Sequence, residues 1–283
     1  MNRRNLFLSV LAVTMLGCGP AAGQIAAPFA PTRFSVVVKG SGPDVILIPG
    51  LTASREIWSG TVAAVPGYRY HLVQVAGFAG SSARGNASGA VVAPVAEEIA
   101  RYIVANRLDR PAIVGHSMGG TITTILAARH PTKVSKAMVV DMLPQPAGIL
   151  GSSASGVRGL AESLRGITAT PGGRRLVESV MGLFGNDPAD GRSDADVVAR
   201  ATHELAVTDL TPELPRIAAP LTIVYATPPP SDRIDPAQIS RNYRAAYSTA
   251  KTARFVPVAN SGHMIMYEQP RAFASALKDF LAR

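Results

Sequence analysis

Cysteine is almost missing from this chain: Cys18 is the only one in 283 residues. An intramolecular disulfide is therefore impossible, and stability must come from the hydrophobic core. Metal-site spacing is missing as well. None of the five histidines stands four residues from another, as a zinc-binding helix would require, and no cysteine is left over to replace them. Neither GxGxxG nor GxxxxGK[ST] occurs, so the common phosphate cradles for a nucleotide or flavin are absent and no cofactor is expected. Long basic tracts are also lacking. The formal charge of +9 is spread along the chain without aromatics interleaved among clustered Lys and Arg, which argues against a nucleic-acid partner.

What is present is apolar material, 47% of the residues, enough to bury one large core and too much for a disordered chain. The chain opens with MNRRNLFLSVLAVTMLGCGPAAGQ: a positive start at Arg3 and Arg4, an apolar run from Leu6 to Leu16, then small residues. That is the layout of a secretory leader, assigned to 1–23, and without its two arginines the net charge falls to about +7. MLGC resembles a lipoprotein cleavage box with Met15 in the usual Leu position, and AAG at 21–23 resembles an ordinary cleavage site. Both a lipid anchor at Cys18 and release into the periplasm or medium stand as expectations.

Beyond the leader, short apolar runs recur: FSVVV (34–38), DVILI (44–48), HLVQV (71–75), AIV (112–114), AMVVD (137–141), LTIVY (221–225) and RFVPV (254–258). Most lack period-two alternation, as strands buried on both faces of a parallel sheet do. Only FSVVV and DVILI, joined through KGSGP, read as a hairpin. Helix-period segments lie between them, VAEEIARYIVANR (95–107), TITTILAARH (121–130) and RAFASALKDFLAR (271–283), so the class is α/β with a mostly parallel central sheet covered by helices. From Met142 to Ala219 no strand is evident. GVRGLAESLRG, GRRLVESVMGLFG and DADVVARATHELAV read instead as short helices, which predicts a helical cap over 142–219 set into a core of 24–141 and 220–283.

At 112–120 the run AIVGHSMGG leads a buried strand straight into Gly-His-Ser-Met-Gly and then a helix. A serine raised on such a turn is held in a strained conformation, small residues at Gly115 and Gly119 let the neighbouring backbone approach, and the helix N-terminus favours developing negative charge beside Ser117. On this elbow, together with LIPGL (47–51), AGFAGSS (76–82) and NSGHMIMYEQP (260–270), the chain from about Phe34 to Arg283 resembles the α/β-hydrolase superfamily. The resemblance implies that fold, with the cap inserted after its sixth strand, the AMVVD run. It also implies main-chain N–H donors at Leu51 and Met118 for an oxyanion. Pro49-Gly50 stands where the superfamily commonly has His-Gly.

A serine hydroxyl needs a base that takes its proton and returns it to the leaving group, a role suited to imidazole. His71 begins a strand, His130 ends a helix, His203 lies in the cap, and His116 should point away from the serine side chain. His263 sits in the loop where the superfamily carries its base.

The acid is harder to place. Most of the superfamily puts it just after the strand matching LTIVY, where this chain reads ATPP and nothing ionises. Asp232 and Asp235 follow a triproline, and Asp141 ends AMVVD, where some dehalogenases carry the acid. All three remain candidates, Asp141 first and Asp232 second. Serine at the elbow speaks for acyl transfer and against halide or epoxide chemistry through a carboxylate nucleophile. The expected activity is that of an exported carboxylic-ester hydrolase for a small or medium ester. Carbon–carbon bond hydrolysis, cofactor-free haloperoxidase chemistry and a non-catalytic binding protein retaining the fold are the alternatives.

Overall fold

The computed structural model describes residues 29–147, 192–230 and 235–283. The leader, Asp232 and the larger part of the expected cap lie outside these residues. The strands are β1 (Phe34–Lys39), β2 (Asp44–Ile48), β3 (Arg69–Val75), β4 (Ala112–His116), β5 (Ala137–Val140), β6 (Leu221–Thr227) and β7 (Ala253–Ala259). The described helices are α1 (Ser59–Ala64), α2 (Val92–Ala105), α3 (Met118–Arg129), α4 (Ala195–Val207), α5 (Pro236–Ala246), α6 (Ile265–Glu268) and α7 (Pro270–Ala282). They flank a seven-stranded sheet of order β1-β3-β2-β4-β5-β6-β7 in which only β1 and β3 run antiparallel.

The burial of the strands explains their unbroken apolar runs. On one face Ile46, Ile48, Ile113, Val139 and Ile223 pack against α2, α3, α4 and α5; on the other Val45, Leu47, Val114, Val140 and Val224 pack against Trp58, Ile265, Phe273 and Leu277. Alternate residues thus enter two cores, and each fully buried aliphatic side chain contributes roughly 1.5–3 kcal/mol.

One expectation is corrected. FSVVV and DVILI do not form a hairpin: β1 pairs with β3, Phe34 opposite Val75 through Lys39 opposite Tyr70, and β2 lies between β3 and β4. The physical reason is burial. DVILI needs two covered faces and takes an interior place, while Val37 and Val38 are exposed on β1, as an edge strand permits. The KGSG turn crosses tightly over the chain entering β3. A Cβ at Gly40 would lie 2.4 Å from the Tyr68 carbonyl oxygen, and both Gly40 and Gly42 have positive φ, 79° and 116°. The AMVVD run, after which the expected cap begins, is β5 in chain order.

Within 142–219 the described residues hold no strand; they contain α4 and the 3-10 turn Thr211–Arg216. Helix α4 is tied to the core. Val91, at the start of α2, has no side-chain cap of its own, and the Glu204 carboxylate of α4 accepts from Val91 N, Val92 N and Ala93 N at 2.7, 2.8 and 2.8 Å. An acidic group there satisfies orphan N–H groups and faces the positive end of the α2 dipole. Arg200 donates to Asn86 O at 2.7 Å, and Val197 packs so closely on Gly77 that a Cβ there would fall 2.7 Å from its side chain.

Candidate active site

Strand β4 ends in a sharp reversal into α3, and Ser117 is the residue at the reversal, with φ 53° and ψ −122°. A side chain rarely adopts that conformation unless its surroundings force it. Two glycines create the room: a Cβ at Gly115 would sit 1.9 Å from Gly119 O, and one at Gly119 would sit 2.2 Å from Ile48 O. Ser117 N donates to Val140 O at 2.9 Å, which pins the elbow to the end of β5, and Gly120 N donates to Ser117 O at 2.7 Å as α3 begins.

Asp141, the next residue after β5, has φ 50° and donates its own N–H to Val224 O at 2.8 Å. Its buried carboxylate is divided between partners. Oδ2 lies 2.7 Å from His263 Nδ1, and Oδ1 accepts from Ala226 N and from the Tyr243 hydroxyl, each at 3.0 Å. Since a carboxylate accepts, the neutral form of the His263 imidazole carries its proton on Nδ1 and its lone pair on Nε2. The loop bearing His263 is held from below by Glu268, which accepts from Gly262 N at 2.5 Å and Met264 N at 3.0 Å. Serine, imidazole and carboxylate thus come from the ends of β4, β7 and β5, all at the carboxyl edge of the sheet.

A family model described as the alpha/beta hydrolase family matches residues 45–276. The chain belongs to the alpha/beta hydrolase family. Among its relatives, the pimeloyl-[acyl-carrier protein] methyl ester esterase of Vibrio atlanticus is 26% identical over 86% of this chain and 96% of its own length. The protein of the same description from Vibrio cholerae is 26% identical over 87% and 97%. A crystal structure of the enol-lactonase from Burkholderia xenovorans shares the fold with a TM-score of 0.69 at 20% identity, covering 89% of this chain and 97% of that one.

In this alpha/beta hydrolase the glycine of LIPGL allows a close approach: a Cβ at Gly50 would lie 3.2 Å from both His116 Nδ1 and Ser117 Cβ. The loop that follows is fastened by the buried Gln74, which accepts from Arg55 N at 2.9 Å and donates to Ala53 O at 3.3 Å. Among the described residues no acceptor meets the N–H of Leu51 or Met118, which leaves both donors available beside Ser117.

The remaining titratable residues sort by their partners. Asp235 caps α5 by accepting from Ala237 N at 2.9 Å, pairs with Arg241 at 3.0 Å and is exposed, so it has no part in the His263 cluster. His71 joins Asp44 and Tyr102, each at 2.8 Å, and His130 joins Glu97 at 2.9 Å. His203 lies half-buried on α4. Asp232 lies outside the described residues.

His116 has a part that its sequence position did not reveal. Its Nε2 donates to the main-chain oxygen of His263 at 2.9 Å, and the two rings lie 4.6 Å apart. Burial, with the nearby His263 adding to it, pushes the His116 imidazole down to about 3, so it stays neutral at working pH and props the base without competing for its proton.

Sequence reasoning missed Tyr243, Gln74 and the Glu268 cradle. The tyrosines at 243 and 247, four apart and therefore on one helix face, were the available signal for the first. Nothing local distinguished Gln74. Among the described residues no cluster of His, Cys, Asp and Glu is arranged to hold a metal ion.

Proposed function

We propose that the protein is an exported serine esterase that hydrolyses a small or medium carboxylic ester through an acyl-enzyme, with Ser117 as nucleophile, His263 as base and Asp141 as acid. The observation that carries this reading is the 2.7 Å contact between His263 Nδ1 and Asp141 Oδ2, which orients an imidazole at the same sheet edge as a serine on a strained elbow.

The steps follow from those positions. Ser117 Oγ attacks the ester carbonyl carbon while His263 Nε2 takes the serine proton, and Asp141 stabilises the imidazolium without itself becoming protonated. The carbonyl oxygen becomes an oxyanion facing the N–H groups of Leu51 and Met118, next to the positive end of α3. As the carbonyl reforms, the alkoxy oxygen leaves with the proton from His263, and Ser117 remains acylated. Water then attacks the acyl carbon, giving its proton to His263, and Ser117 Oγ leaves with that proton, which releases the carboxylic acid.

p-Nitrophenyl esters of graded chain length, run beside a panel of β-diketones, test the reaction class. Rapid release of p-nitrophenol with an initial burst is expected. Protein inert to every ester but cleaving a diketone would remove the esterase reading, and failure to react with a fluorophosphonate would point to a non-catalytic binder.

Export is supported by the leader alone. The mass of the mature protein from fractionated cells is expected to show either a start after Gly23 in the soluble envelope fraction or a lipid-modified Cys18 in the membrane fraction. Protein beginning at Met1 in the cytoplasm would overturn it.

A further inference from the structure

We infer that Tyr243 is a positioning residue for the reaction: together with Ala226 N–H, its buried hydroxyl turns the Asp141 carboxylate so that Oδ2 meets His263. This inference rests on the proposed roles of Ser117, His263 and Asp141.

Placing the acid after β5 rather than after β6 creates a mechanical problem. Asp141 follows a strand end in a left-handed conformation, φ 50°, and a carboxylate on its own could rotate so that neither oxygen points at the imidazole. Two donors on the other oxygen remove that freedom. Ala226 N comes from β6, at the position where the chain carries ATPP instead of an acid, and the Tyr243 hydroxyl comes from α5, each at 3.0 Å from Oδ1. The β6 end thus supplies a main-chain donor to the acid of the neighbouring strand.

Tyr243 is itself well fixed. Its ring stacks on Tyr225 of β6 at 4.4 Å and 17°, and the residue is buried. Burial first, then the negative charge of Asp141, raises its phenol well above the ordinary value, so the hydroxyl remains a donor throughout the working range.

Among the described residues, the titratable groups around the acid and base are His116 on β4, Tyr225 on β6, Tyr243 on α5, Tyr247 at its C-terminal cap, His263 itself, and Glu268 beneath the His263 loop. Tyr247 supplies an internal control. It lies one helical turn from Tyr243 and is also buried, but its hydroxyl donates to Met142 O at 2.8 Å rather than to the carboxylate.

Loss of the Tyr243 donor leaves Oδ1 with one hydrogen bond, so the carboxylate becomes more basic and holds the imidazolium more tightly. The active form needs an ionised carboxylate and a neutral imidazole, so both changes move the acidic limb of kcat/KM toward higher pH. A tyrosine that served only packing would not move that limb.

The test compares Tyr243→Phe and Tyr247→Phe in the full chain, with the p-nitrophenyl ester turned over fastest. Phenylalanine keeps the ring and its stacking, so no cavity is opened. Tyr243→Phe is expected to lower kcat by about tenfold, the rate equivalent of one hydrogen bond to a charged group, with KM within about twofold and the acidic limb raised by roughly half a pH unit. Tyr247→Phe is expected to keep the wild-type limb. A Tyr243→Phe protein with unchanged kcat, a limb that stays or moves down, or the same changes in Tyr247→Phe would each overturn the inference. If Asp141→Asn turns over at the wild-type rate, the underlying assignment fails; if Asp141→Asn is slow and Tyr243→Phe is normal, only the role of Tyr243 fails.

Discussion

Ester turnover by the Ser117→Ala protein is expected to fall by about six orders of magnitude in kcat, because the acyl-enzyme can no longer form. The substitution removes one oxygen and leaves the surroundings in place. Gly115 and Gly119 still admit the neighbouring backbone, and the main-chain bonds Ser117 N to Val140 O and Gly120 N to Ser117 O do not depend on the side chain. Alanine is no more strained than serine at φ 53°, so the thermal midpoint should change little. The N–H groups of Leu51 and Met118 also remain, so some acceleration over water, on the order of a thousandfold, should persist. Substrate binding is expected to survive with the donors, while labelling by a fluorophosphonate and the p-nitrophenol burst both disappear. Retention of either signal would show that another nucleophile carries the chemistry.

Asp141→Asn is expected to lower kcat by about four orders of magnitude, roughly 5.4 kcal/mol of transition-state stabilisation. The reason lies in the three donors around this carboxylate: His263 Nδ1–H on Oδ2, and Ala226 N–H and the Tyr243 hydroxyl on Oδ1. An amide has one accepting oxygen and one donating nitrogen. If its oxygen faces Ala226, its NH2 confronts His263 Nδ1 and drives the imidazole proton to Nε2, where it blocks removal of the serine proton. If its oxygen faces His263, its NH2 opposes the Ala226 N–H, which cannot reverse direction. The second arrangement leaves the buried Ala226 N–H unmatched, at a cost of about 1–3 kcal/mol in stability, so a protein that adopts it should show a lower unfolding midpoint together with the loss of rate. Asp235→Asn provides the contrast. That residue is exposed and caps α5, so only a small change in stability and near-normal turnover are expected. Asp232→Asn completes the set. If the large loss falls on it and spares Asp141→Asn, the acid has been wrongly assigned.

The residues differ in how far each could be read before folding. Ser117 was legible because its signature is contiguous: a buried strand, a Gly-x-Ser-x-Gly turn and a helix are all set by neighbours within about ten residues. The β-branched runs revealed most of the strands in the same way, since burial on both faces leaves its mark on every residue of a run. His263 was recognisable through the motif around it. Asp141 could not be separated from Asp232 and Asp235, because the distance to His263 depends on pairings among β5, β6 and β7 that no local pattern encodes.

Strand pairing also decided against the hairpin. FSVVV and DVILI are adjacent in sequence and carry a turn between them, yet DVILI gains more by lying between two strands than by sharing an edge. Tyr243 was hidden for a related reason, since its partner is 102 residues away in the chain and its place on α5 reads as ordinary core. The sequence by itself determined the α/β class and the serine elbow, because both are written in local periodicity and turn chemistry, and the resemblance of NSGHMIMYEQP to the superfamily's motif pointed to the loop that bears the imidazole. Only the tertiary structure decided which carboxylate meets the imidazole and what holds it there. Hydrogen bonds of 2.7–3.0 Å between distant segments follow from strand order and register, and those are settled by burial of the whole sheet.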